Sequence, residues 1–245
     1  MDYYRTAKKA SLQIDGHKGL EYLKSTIPSY PKVLDVGCGE GSRLNQLMPA
    51  GTVGFGIDPS DKAIAMAKKQ YPRHKFRLGI GEELPYEDGY FDLVYSAFSL
   101  EHCLNPEKFI IEMLRVCRPG GKLVVLAPNY GAPNRRSPVS KLDPVSKLCE
   151  GIIKDFFPHP GLDWTAVTPS DKYLQIDDDT TFEPYLLSLL RFLYKRGLRI
   201  EKYSSLWELD DKPIRIHHRL FSSLGKLGLS PFRYWGPQVF VSAVK

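Results

Sequence analysis

Along the first half of this chain, apolar positions fall into two alternating periods. Leu20, Tyr22, Leu23 and Ile27 share one face of a helix expected over 17–30. Pro28 and Pro31 close that helix and hand the chain to an apolar strand at 32–36. After glycines at 37, 39 and 41, the pattern predicts a short helix over 42–48 and a strand over 52–57. Ser60 caps an Ala- and Lys-rich helix that stops at Pro72. Residues 75–78 read as a third strand and 91–96 as a fourth, entered through the turn Glu87-Asp88-Gly89. Asn105 and Pro106 then supply a cap and a first helical residue. That helix carries Phe109, Ile110, Met113, Leu114 and Val116 as far as the turn Pro119-Gly120-Gly121, and 122–127 is a fifth strand. Strands alternating with helices at this spacing predict an α/β fold with a doubly wound, mostly parallel sheet.

From Pro128 the pattern changes. Residues 128–184 are rich in Pro, Gly, Ser and Asp and show little periodicity, which reads as a functional insertion. Regular structure resumes with a helix over 183–196 stopped by Gly197, a strand over 198–206 and a last strand over 238–244. Between these strands, Ile216, Leu220, Phe221, Leu224 and Leu227 share one helical face, with Arg215, His217, His218, Arg219 and Lys226 largely elsewhere. Such a basic amphipathic helix over 214–227 is expected to pack on its own domain; peripheral membrane contact is the alternative.

Composition narrows this little. The 245 residues are 42% hydrophobic and 25% charged, which suits one domain over 1–245 with insertions. The net charge of +6 is not gathered into a run, so nucleic-acid binding is not implied, and anionic substrates or a membrane surface stay open. No stretch approaches the roughly 18 apolar residues of a membrane span. The first twenty residues lack an apolar core, which makes a cytoplasmic location the default expectation. Cys38, Cys103, Cys117 and Cys149 form no CxxC pair and sit near no His at zinc spacing. They are expected to be reduced, with no metal site. The run Asp177-Asp178-Asp179 reads as a solvated acidic turn, with a metal or sugar site as the alternative.

The chemistry concentrates between residues 33 and 58. Side chains at 37, 39 and 41 would keep the backbone from approaching a ligand at the carboxyl edge of the sheet. A dinucleotide fingerprint, GxGxxG, rests a pyrophosphate on the helix N-terminus. Here the sixth position is Ser42, and Asp35 precedes the first glycine, where an acid would repel phosphate and suit an ammonium group. Asp58, closing the second strand, can accept both hydroxyls of a ribose. An amine, a ribose and no phosphate between them describe S-adenosylmethionine. A nicotinamide dehydrogenase is the competing reading of this half, and Asp35 and Ser42 count against it.

The segments LDVGCGEG, GIDPS, GEELPYEDGYFDLVYSAFSLEH and LRVCRPGGKLVV, in that order, resemble the successive motifs of class I S-adenosylmethionine-dependent methyltransferases. The resemblance covers about residues 30 to 127. It implies a Rossmann-like, seven-stranded sheet whose last strand runs antiparallel beside 198–206. It implies a methionine amine near Asp35 and the turn Gly37, Cys38, Gly39 and Gly41, ribose hydroxyls on Asp58 and adenine beside Pro59. Where the family has an Asp for the adenine amine this chain has Ile80, followed by Gly81-Glu82-Glu83, so Glu82 or a backbone group is expected there. Ser96 ends the fourth strand at the ligand edge. His102 follows as the candidate catalytic base, with a loop-orienting role as its alternative. Tyr3, Tyr4 and Tyr130 are candidates to border the pocket.

The whole therefore reads as methyl transfer to a small or medium-sized acceptor, an oxygen on a sugar, isoprenoid or secondary metabolite. Residues 128–182 and 207–235 are expected to form the substrate cover. An N-methyltransferase, an RNA methyltransferase and a non-catalytic protein that keeps the cofactor fold are the alternatives.

Overall fold

The computed structural model describes residues 14–170, 177–209 and 216–245. Seven strands form one sheet in the order β3-β2-β1-β4-β5-β9-β8: β1 Val33–Val36, β2 Phe55–Asp58, β3 Lys75–Leu78, β4 Phe91–Ala97, β5 Cys117–Pro128, β8 Arg199–Ser204 and β9 Gln238–Val244. The two-residue strands β6 Thr165–Ala166 and β7 Phe182–Glu183 pair separately and antiparallel. The sheet is mostly parallel with one antiparallel strand, as the pattern and the resemblance implied. Contacts divide the chain into two compact units, Met1–Ser99 with Lys108–Val125 and Ala243–Lys245, and Leu100–Glu107 with Leu126–Ser242.

In the first unit, β1 is buried along its whole length and pairs parallel with β2 and β4. The register sets Asp35 level with Gly56 on one side and Tyr95 on the other. Helix α1 (Lys18–Thr26) is capped by His17, whose Nδ1 accepts the Leu20 N–H at 3.2 Å. Helix α2 spans Ser42–Leu47. Helix α3 (Asp61–Gln70) starts at the expected cap: Ser60 Oγ accepts the Ala63 N–H at 3.2 Å. Asp61 in the first turn of α3 and Lys68 and Lys69 in its last suit the helix dipole. Helix α4 (Pro106–Val116) buries Phe109, Ile110, Met113 and Val116. Burying each such side chain stabilises by roughly 1.5–3 kcal/mol. One expectation shifts: β5 begins at Cys117, so Pro119-Gly120-Gly121 lies inside a strand and not before it.

The second unit contradicts the expectation of an irregular 128–184. Helix α5 (Pro144–Phe156) lies within it, capped by Asp143, whose Oδ1 accepts the Val145 and Ser146 N–H groups. Its buried stripe is Lys147, Gly151 and Asp155, while Val145, Ile153 and Phe156 face solvent. The inward groups are satisfied. Lys147 pairs with Glu183, and Asp155 accepts from the Tyr185 hydroxyl at 2.6 Å and Trp235 Nε1 at 3.1 Å. A side chain on Gly151 would meet Pro133 at 2.6 Å. Because the polar stripe is the buried one, the helix carries no inward apolar face by which the sequence could announce it.

Helix α6 (Leu186–Lys195) buries Leu186, Leu189, Phe192 and Leu193. Asn129, fully buried, donates to the carbonyls of Tyr234 and Gly236 and accepts the Leu186 N–H. Helix α7 (Ile216–Lys226) packs against Trp207, whose Nε1 would lie 2.0 Å from a side-chain carbon on Gly225. Phe221 of α7 contacts the rings of Phe232 and Trp235. Leu220 and Leu227, expected on the packed face, are exposed. Residues 214 and 215 of the proposed membrane-facing segment, and Tyr3 and Tyr4, lie outside the described residues. No helix among the described residues is long and apolar enough to cross a membrane.

Candidate active site

The turn between β1 and α2 is built from backbone bonds that consume its donors. The N–H groups of Gly37 and Cys38 both donate to the Ile57 carbonyl, at 2.8 and 3.0 Å. Gly39 N–H donates to Asp58 Oδ2 at 2.9 Å, and Gly41 N–H to the Cys38 carbonyl at 3.1 Å. The N-terminus of α2 is occupied by the chain itself, because buried Glu40 accepts the Ser42 N–H at 2.8 Å and its hydroxyl at 2.6 Å. A phosphate cradle needs free N–H groups at this place. Here the Glu40 carboxylate already takes the first of them, which counts against a phosphate at this place on charge as well as on spacing.

The glycines differ in purpose. A Cβ on Gly37 would sit 2.3 Å from Ser99, and one on Gly41 2.7 Å from Phe76, so both positions answer to packing. Gly39, at φ +53°, would meet nothing within 4 Å. It faces open space, the only one of the three that does.

Beside this turn lie further polar groups. Asp35 is fully buried beside the Tyr95 hydroxyl and the Arg43 charge, and neither of its carboxylate oxygens makes a well-formed hydrogen bond. Burial lifts the Asp35 carboxyl to about 7, against the pull of the Arg43 charge. Unpaired buried polar atoms are expensive unless a ligand completes them. Arg43 is itself held in place, donating to the Ala97 carbonyl at 2.7 Å. Asp58 is fixed at both oxygens, by Gly39 and by the Ser60 N–H at 2.9 Å, leaving the remaining lone pairs of each oxygen outward. Burial raises its carboxyl above the ordinary value. Pro59 beside it is exposed.

At the end of β4, Ser96 and Ser99 share a hydrogen bond of 2.6 Å, and Ser99 donates to the Val36 carbonyl. Gly81 lies against the Phe109 ring, where a Cβ would come within 2.1 Å, so helix packing accounts for that glycine. Glu82 is buried, and Ile80 is a partly exposed apolar residue. Cys38 is a buried thiol whose ionisation burial pushes far up, and it serves packing. All four cysteines are free.

His102 belongs to the second unit, in the single 3-10 turn Leu100–His102. The acidic run read as a solvated turn folds inward around it. His102 Nδ1 lies 3.2 Å from Asp179 Oδ1, and Nε2 lies 3.8 Å from both Asp177 Oδ1 and Glu101 Oε1. Asp177 Oδ2 accepts the Tyr130 hydroxyl at 2.6 Å. Thr181 holds the two segments together, donating to the carbonyls of Glu101 and Cys103. Burial would lower the His102 imidazole, but Asp179, Glu101 and Asp177 outweigh it and lift it to about 9. Burial lifts the Glu101 carboxyl to about 7. Sequence reading found His102 and both Asp177 and Tyr130 but had no reason to join them. It missed Glu101 and Asp179 as partners, and Glu40, Tyr95 and Ser99 around the turn.

The sheet thus brings together a glycine turn and a carboxylate on each of two neighbouring strands, Asp35 on β1 and Asp58 on β2. Residues 34–125 match the methyltransferase domain family. A probable S-adenosylmethionine-dependent methyltransferase of Mycolicibacterium smegmatis is 34% identical over 110 residues, 44% of this chain and 43% of that one. The chloroplastic tocopherol O-methyltransferase of Arabidopsis thaliana is 37% identical over 102 residues, 39% and 29% of the two chains. The matched stretch thus spans less than half the length of these relatives. An S-adenosylmethionine-dependent methyltransferase structure from Mesorhizobium loti shares the fold at a TM-score of 0.59 and 18% identity, covering 95% of this chain and all of that one. Over residues 34–125 the chain is thus similar to methyltransferase domains, and across its length it shares their fold.

Proposed function

We propose that this protein transfers a methyl group from S-adenosylmethionine to a small or medium-sized acceptor. The observation that carries the reading is the buried Asp35 carboxylate, without a well-formed hydrogen bond, beside a glycine turn with open space at Gly39. These residues fit the cofactor. Asp35 would take the ammonium group, the backbone of Gly37, Cys38, Gly39 and Gly41 the methionine portion, and Asp58 the ribose hydroxyls. Pro59, Ile80, Gly81 and Glu82 would border the adenine, and Ser96 the end of β4. The cofactor brings its own sulfonium leaving group, so the protein's task is alignment and exclusion of water.

The acceptor we propose is an oxygen on a sugar, isoprenoid or secondary metabolite; the O-methyltransferase name carried by one relative supports an oxygen. Residues 128–182 and 207–235 are the proposed source of acceptor specificity, and His102 with its carboxylate neighbours the proposed acceptor-side group. Calorimetry with S-adenosylmethionine tests the donor half, and an acceptor screen following S-adenosylhomocysteine release tests the whole. Absence of cofactor binding would reduce the domain to a scaffold. Binding in full with His102→Gln turning over like the native chain would remove His102 from the chemistry.

A further inference from the structure

The second unit holds one group of side chains that the donor half does not use. Glu101, His102 and Asp177 each offer one ligand atom, and these three atoms all lie within 4.8 Å of one another. Among the described residues this is the one such group of three or more His, Cys, Asp or Glu side chains.

Three features distinguish it from an ordinary ion-pair cluster. The first is an orphan: Glu101 is 1% exposed and its Oε2 has no hydrogen-bond partner, a costly arrangement if nothing else binds there. The second is spacing. At 3.8 Å, Nε2 is too far from either carboxylate for a hydrogen bond. Ligands of one ion, each at about 2.0–2.2 Å, sit about 3–3.5 Å apart, so each carboxylate would move toward Nε2 by about half an ångström to share an ion with it. The third is the outer layer. Metal-binding imidazoles usually turn their second nitrogen toward a carboxylate, and here Asp179 Oδ1 lies 3.2 Å from Nδ1. Tyr130 donates to Asp177 Oδ2 and so leaves Oδ1, the oxygen facing His102, for a ligand.

We propose that Glu101, His102 and Asp177 form a divalent-cation site, with Asp179 and Tyr130 orienting the ligands. One imidazole and two carboxylates suit an ion of intermediate hardness, Zn²⁺ or Mn²⁺, better than an all-oxygen ion. The backbone supports the site across a long sequence gap: Thr181 bonds the Glu101 carbonyl, and Thr180 bonds that of Asp177. The inference concerns the second unit alone and stands whether or not methyl transfer is the activity.

The test is a titration of chelator-stripped, full-length protein with Mn²⁺ and separately with Zn²⁺, with no cofactor added, read by calorimetry and by the Mn²⁺ paramagnetic resonance spectrum. One equivalent should bind, with nitrogen coupling from one imidazole. Glu101→Gln and Asp177→Asn should each weaken binding tenfold or more. Tyr130→Phe, which keeps the packing, should weaken it severalfold, and Asp179→Asn about 10–100-fold. Phe156→Ser, on the exposed face of α5, should leave it unchanged. No stoichiometric binding of either ion overturns the proposal. So does binding that survives the Asp177→Asn and Tyr130→Phe changes, because the ion would then lie elsewhere.

Discussion

Asp35 is fully buried with the Tyr95 hydroxyl and the Arg43 charge beside it, and this environment makes its own charge conditional on what binds there. Burial lifts its carboxyl to about 7 in the folded chain against an ordinary value of 3.8. Between those values the folded chain holds a proton that the unfolded chain has lost. The stabilising contribution is therefore complete below the lower value and is lost as pH rises through the upper one. A cationic ligand reverses the preference, because it favours the ionised form. Affinity for S-adenosylmethionine should climb from about pH 6 to about pH 8, with proton release visible as a buffer-dependent heat. Asp35→Asn should flatten that slope and lower affinity at pH 8 by about tenfold or more. The two neighbouring glycines separate folding from binding. Gly37→Ala meets Ser99 and should destabilise by about 2–4 kcal/mol in denaturant titrations. Gly39→Ala meets nothing, so it should cost only about 1 kcal/mol of strain while sharply reducing cofactor affinity. A Gly39→Ala variant that binds normally would show that the open space is not the ligand's.

At the scale of elements, Asn129 ties the start of α6 to the segment before β9 with three hydrogen bonds. Asn129→Ala would leave two carbonyls and one N–H buried without partners, and thermal unfolding should report a loss of about 2–3 kcal/mol. Residues that act locally were legible in the sequence. Ser60 caps α3, and β9 spans its expected residues, because each depends on neighbours a few positions away. Asp35 and Asp58 could be placed for the same reason: a strand–turn–helix unit fixes its own acids. Helix α5 was illegible because Lys147 and Asp155 are buried by partners from Glu183, Tyr185 and Trp235, which no periodicity can foresee. The group around His102 was illegible too. Glu101 looks like any helix-edge acid until the turn at 177–181 is brought back to it by Thr181.

At the scale of the whole molecule, net charge and an unusual surface act against each other. The chain carries +6, which keeps copies apart in dilute buffer and does so less as salt rises. Helix α5 works the other way. Having spent its polar side on the interior, it presents Val145, Ile153, Phe156 and Phe157 outward, the two phenylalanines 70% and 77% exposed. These side chains do little for folding, so Phe156→Ser with Phe157→Ser should leave unfolding free energy within about 0.5 kcal/mol. What they govern is colloidal behaviour. In concentrated solution at high salt, static light scattering should give the native chain a negative second virial coefficient and the double variant one closer to zero. Equal coefficients would show that the outward face of α5 is inert between molecules. The helix that hides its charges thereby sets how crowded the protein can become before it leaves solution.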